Sequence, residues 1–181
     1  MIKKISIFLV FLFASPFIIA LFVTNNYAVE REISIALPKE QVFNYVKQLK
    51  NQNNFSKWAL TDPNMSKSYR GTDAMPGFVS AWSSANEEVG SGEQEILSIV
   101  EGERVNFELR FFTPFQSTDN AYMTTQSIGE DLTKVSWGFN GQLKYPMNIM
   151  FLFMDFESVI GSDLQTGLNN LKVLLEKESI N

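Results

Sequence analysis

The last long stretch of the chain, Tyr145 to Glu178, constrains the fold most. Proline suits the first position of a helix, and after Pro146 no further proline follows. Met147, Met154, Gly161, Leu168 and Leu175 recur every seven residues, with Met150, Leu164 and Leu171 on the neighbouring rows. That spacing lays one apolar stripe along a helix. It predicts a single terminal helix from Met147 to Leu175, most apolar in its first half, where Met150, Phe151, Leu152, Phe153, Met154 and Phe156 crowd together. Ser162 and Gln165 also have the spacing of a capping box, which marks a helix start, and Gly161 before them weakens a helix. Either the helix kinks near Gly161, or Gly161 admits a strand at close range.

Such a helix needs a cover, and the rest of the chain reads as strands. Tyr27 to Leu37 alternates, with Val29, Ile33 and Ile35 on one face and Glu30, Glu32 and Ser34 on the other. Pro38 then opens a helix to about Lys50, with Val42, Phe43, Val46 and Leu49 as its stripe. Phe55 to Trp58 forms a second helical turn. Strands are predicted at 65–70, 78–84, 92–100, 104–112, 116–128 and 132–143, separated by short turns rich in Gly, Pro, Asn and Asp. Connections this short make neighbours antiparallel. Val105, Phe107, Leu109 and Phe111 share one face, as do Val135, Trp137 and Phe139. This is the pattern of a sheet with one covered side. The polar run Asn120 to Gln126 belongs either at an edge or with one face in water.

Absences narrow the chemistry. The chain has no cysteine and no histidine. Thiol catalysis, thiolate metal sites, Ser-His-Asp chemistry and histidine-held zinc or iron are therefore excluded. No cofactor and no metal is expected. There are 15 basic against 20 acidic residues, with no basic cluster, which argues against nucleic acid as a partner. Sixteen phenylalanines and seven methionines fill irregular apolar space, in a core or around a ligand.

Residues 1–27 read as a separate segment. Lys3 and Lys4 precede an apolar run from Ile5 to Val23, about 28 Å long as a helix and close to the thickness of a bilayer core. A cleaved signal has a shorter core and a small-residue cleavage site, and Asn26-Tyr27-Ala28 is a poor one. The length favours a retained single-pass anchor over a cleaved signal. The lysines then stay cytoplasmic, and residues 28–178 form an extracytoplasmic domain, periplasmic in a Gram-negative cell.

The order of one strand, one or two helices, six strands and a long helix resembles the START-like, or helix-grip, superfamily, closest to its polyketide cyclase/dehydrase branch. The stretches that carry the resemblance are 29–35, Phe55-Ser56-Lys57-Trp58, Asp62-Pro63-Asn64-Met65, 113–118, Lys144-Tyr145-Pro146-Met147 through Gly161, and 167–172. It implies an α+β fold whose curved antiparallel sheet of about seven strands wraps the last helix, and a hydrophobic small molecule or lipid held between them. On that reading Trp58, Trp82, Phe107, Trp137, Phe139, Phe151 and Met154 are the candidate ligand-binding residues. Each taken singly reads first as plain core; the group as a whole points to a cavity. The loops 71–77 and 86–90 would open for entry.

Two other readings compete. An enzyme, a cyclase or hydrolase, would use carboxylates and tyrosines such as Tyr69 or Tyr122. Its acid–base pairs would be Glu93 with Glu95, on one face of a strand, or Asp155 with Glu157, which diverge by about 200° on a helix. Ordinary solvation explains both pairs. The third reading is an envelope scaffold with a filled core.

Overall fold

The computed structural model describes residues 2–178, apart from the side chains at 2, 3, 6–10 and 178. Strands form where side chains alternate: β1 (Asn26–Ile35), β2 (Ser66–Arg70), β3 (Val79–Ser83), β4 (Ser91–Val100), β5 (Arg104–Thr113), β6 (Ser117–Gly129) and β7 (Leu132–Gln142). They make one antiparallel sheet in the order β1-β7-β6-β5-β4-β3-β2. β2 to β7 is a meander, and β1 returns to pair with β7 in the register Val29↔Phe139 and Ile33↔Val135. The polar strand lies inside the sheet, between β5 and β7, and not at an edge. It turns Ala121, Met123 and Thr125 inward and leaves Asn120 and Gln126 in solvent. Register shifts in β4 at Ser91/Gly92 and Ile96/Ser98 bend that strand and deepen the curl of the sheet.

Helical pieces close the concave side. Pro38 precedes α2 (Lys39–Val46), a 3-10 helix follows at Leu49–Asn54, and α3 spans Lys57–Thr61. The long helix α4 (Phe156–Glu178) lies along the sheet. Leu164, Leu168, Leu171 and Leu175 bury against a cluster that includes Val29, Val135, Trp137 and Phe55. Two glycines set how close α4 comes. A Cβ at Gly161 would fall 2.2 Å from the Arg31 guanidinium, and one at Gly167 would fall 2.7 Å from the Trp137 ring. Gly161 thus admits β1 at close range, and the helix runs through it without a break.

The break comes earlier than the heptad spacing predicts. Met147–Leu152 is a 3-10 helix, and α4 begins only at Phe156. Asp155 accepts the Ser158 N–H at 2.9 Å through Oδ1, an N-cap that starts the helix there. Upstream, the buried Asn148 donates through Nδ2 to the carbonyls of Ala20 at 2.7 Å and Val23 at 2.9 Å. These tertiary hydrogen bonds override the helical spacing. Met147 and Met154, expected in the stripe, are 46% and 44% exposed.

The first helix, α1 (Ile2–Ala20), ends short of the Val23 expected from the apolar run. Among the described residues no helix is long and apolar enough to cross a membrane. The expected span includes residues 6–10, whose side chains lie outside the described set.

The helix face is testable. Leu168→Ala, at a fully buried position of α4, should lose about 2–5 kcal/mol in urea unfolding. Val173→Ala, on the exposed face, should change stability by less than about 0.5 kcal/mol.

Candidate functional site

A cavity of about 360 Å³ opens where α4 begins. Its floor is built by strand register, which stacks inward-facing side chains into rows across the sheet. The deepest row, Ile96–Phe107–Ala121–Phe139, belongs mostly to the core, and only Ala121 and Phe139 reach the cavity. The next row is Ser80–Gln94–Leu109–Asp119, and all four line the cavity. Nearest the rim is Trp82–Gly92–Phe111–Ser117, in which the Trp82 ring lies over the bare Gly92. Trp82 meets Phe111 edge-on at 5.9 Å, and its Nε1 donates to the Val89 carbonyl at 3.2 Å.

The opposite wall is helical. Leu49, Gln52 and Asn53 come from the first 3-10 helix, Ser56 from the link after it, and Trp58 and Ala59 from α3. From α4 only Ile160 and Leu164 take part. Trp58 meets Trp137 edge-on at 6.3 Å, so the two walls join through indoles. All three tryptophans of the chain therefore line one cavity.

Of the seven candidate residues, Trp58, Trp82, Trp137 and Phe139 lie on the wall. Phe107 is fully buried beneath it. Phe151 packs edge-on against Tyr27 at 5.6 Å, and Tyr27 is the residue that faces the cavity. Met154 sits outside, in the break before α4. Phe151 and Met154 were placed on the wall because the helix was expected to start ahead of them, and it does not. Leu109 and Phe111 continue the alternation of Val105 and Phe107, so the signal for them was present. Tyr27 and Asp119 share the inward parity of Val29 and of Ala121, so alternation carried a signal for them as well. Gln52 carries none, because its place on the wall depends on how distant elements meet.

The proposed acid–base pairs lie elsewhere. On the outer face Arg110 binds Glu93 and Glu95 at 2.8 Å each, and Glu108 as well. Hydrogen bonds from Arg70 and then Arg110 hold the Glu93 carboxyl below its ordinary range, against the opposing effect of desolvation. Asp155 caps α4 and Glu157 faces Arg31 at 3.8 Å. Tyr69 stacks on Phe78 away from the cavity, and Tyr122 donates to Glu30 at 2.5 Å on the outer face. The cavity's own ionisable pair is Tyr27 with Asp119. Asp119 accepts the Ser117 hydroxyl at 2.8 Å and the Gln142 N–H at 3.1 Å. Burial, and then the Asp119 charge, push the Tyr27 phenol up to about 12. Among the described residues no cluster of acidic side chains is placed to hold a metal.

The rim also differs from expectation. The loop 71–77 is pinned, because Asp73 accepts the N–H groups of Leu49 at 2.8 Å and Lys50 at 3.2 Å. Glu88 and Val89 of the loop 86–90 line the mouth, opposite Thr113, Pro114 and the exposed Phe115.

No protein-family model matches the chain, and no curated protein matches it. Solved structures do. Norcoclaurine synthase from Thalictrum, a point mutant in complex with a transition-state analogue, superposes with a TM-score of 0.62 at 9% identity, over 87% of this chain and 99% of that one. The allergen Ara h 8.0201 gives 0.56 at 13% identity, over 82% and 97%. The Aha1 dimer from Colwellia psychrerythraea gives 0.56 at 11%, over 83% and 96%. At these identities the likeness shows the fold alone, and the fold is the START-like helix grip.

The Tyr27 phenol supplies a pH test. In the unfolded chain it releases its proton near 10, but in the folded chain only near 12. Between those values the folded state holds more protons, so stability falls as pH rises through that window. Tyr27→Phe should remove that part of the slope when unfolding is followed in urea from pH 9 to 11.5.

Proposed function

We propose that this chain binds a hydrophobic small molecule or lipid in the cavity at the start of α4, without catalysis. The observation that carries the reading is a concave, mainly apolar space of about 360 Å³, open at one mouth, with three indoles on its wall. That volume lies within the range of small-molecule sites, roughly 300–1,000 Å³. Apolar burial, on the order of 25 cal/mol per Å², drives occupancy. The mouth between the loop 86–90 and the turn at Pro114–Phe115 is the way in. Within the START-like group, the sequence stretches that carry the resemblance support the polyketide cyclase/dehydrase branch.

We propose further that residues 1–24 tether the domain to a membrane, with Lys3 and Lys4 on the cytoplasmic side and the domain outside. The apolar run from Ile5 to Val23 supports this. So does the surface beside it. Leu21, Phe22, Leu152, Phe153 and Met154 are all exposed, and Asn148 ties the segment before Phe153 to the end of α1. Exposed apolar patches of this kind mark interaction surfaces. A carbonate-washed membrane fraction should retain the whole chain, and recovery in the soluble fraction would overturn the tether.

One observation favours a second reading as an enzyme: Tyr27 and Asp119 face the same cavity. With its phenol protonated at neutral pH, Tyr27 would act as a hydrogen-bond donor or acid and not as a base.

The indoles make binding visible. A fatty acid brominated along its chain should quench the intrinsic fluorescence saturably. Ala121→Phe, which fills the floor, should weaken that binding by about tenfold or more while the protein remains folded. Quenching that never saturates, together with no co-purifying ligand in native mass spectrometry, would overturn the reading.

A further inference from the structure

Several polar side chains of the cavity wall make no hydrogen bond among the described residues, Ser56, Ser80 and Tyr27 among them, but one group there is both unpaired and closed off from water. Gln52, on the helical wall, is 8% exposed, and its Nε2 has no hydrogen-bond partner. Gln94, on the floor, is 9% exposed; its side-chain amide makes no hydrogen bond among the described residues and, unlike that of Gln52, keeps some access to solvent. Both line the same cavity from opposite walls. Asp119 and Trp82, by contrast, have their partners within the protein. Buried polar groups in native proteins are nearly always paired, so each exception calls for a cause. An amide that faces a ligand space is paired when the ligand arrives. The last torsion of a glutamine is soft and roughly twofold, so a small turn brings Nε2 to the cavity.

We propose that the ligand is an amphiphile with an uncharged hydrogen-bond acceptor within its apolar length, a ketone, ester or amide carbonyl, held by Gln52 and Gln94. This rests on the reading of the cavity as a ligand site and names the ligand's class. Charge excludes a buried carboxylate at that position. Gln94 and Asp119 share one cross-strand row with only Leu109 between them, and a second negative charge there would be repelled and poorly solvated. The inward-facing cation, Lys67, stands at the rim on the edge strand β2, opposite Trp82. A plain hydrocarbon fits the apolar walls but leaves both amides unpaired. A site built to hydrogen-bond its ligand discriminates against an analogue that lacks the group.

The test compares two probes of equal length, 2-undecanone and undecane, as competitors of 1-anilinonaphthalene-8-sulfonate on the full chain in mild detergent. The ketone should bind about tenfold or more tightly than the alkane. Gln52→Leu and Gln94→Leu should each reduce that preference while undecane binds as well as before or better. Equal affinities in the unaltered protein, which need no variant to fold, would overturn the inference and leave the cavity reading standing. So would a preference that survives in both variants. If neither probe displaces the dye, the cavity reading falls and the inference falls with it.

Discussion

A single hydrogen bond decides where the last helix starts, and the cavity depends on it. Asp155 receives the Ser158 N–H and fixes the first turn of α4. Had the helix begun at Met147, its most apolar turns would have lain against the mouth of the sheet. Instead the preceding segment folds as a 3-10 helix and turns to the end of α1, where Asn148 takes two carbonyls. The leucines from Leu168 onward fill the far end of the grip, and Ile160 and Leu164 are what α4 gives to the near end.

Strand register then decides what the open end contains. A side chain faces inward or outward by parity, so one residue on each strand commits the rest. On β4, Gly92, Gln94 and Ile96 face in, while Glu93 and Glu95 face out to Arg110. These carboxylates and their guanidinium partner are thereby kept on the outer surface, where water can solvate them. The inner surface receives tryptophan, phenylalanine, leucine, the neutral amide of Gln94 and the carboxylate of Asp119. The contrast between the faces comes from alternation, without any residue of special geometry.

Alternation is also what made the sheet legible. The run from Val105 to Phe111 and the run from Val135 to Phe139 announce their faces, and all seven strands lie within a few residues of where the pattern puts them. Trp82, Trp137 and Phe139 reach the wall from strands, and Trp58 reaches it from α3, where no alternation applies. The last helix was half legible. Its stripe from Gly161 to Leu175 is real, but the sevenfold spacing continues through Met154 and Met147, where tertiary hydrogen bonds prevail over periodicity. No pattern in the sequence links Asn148 to Ala20, or Gln52 to a floor on the other side of the domain. Such pairs are separated by long stretches of chain, and only the folded path brings them together. The place of Gln52 on the cavity wall was therefore a part that residue spacing did not reveal.

The Asn148 clasp has a mechanical consequence. It joins the end of the N-terminal helix to a segment more than a hundred residues later, and it bypasses the short linker into β1. The end of that helix is thereby clasped to the 3-10 segment just ahead of α4, whose Phe151 meets Tyr27 on the cavity wall. The domain and the N-terminal helix are joined at Asn148 as well as through the chain.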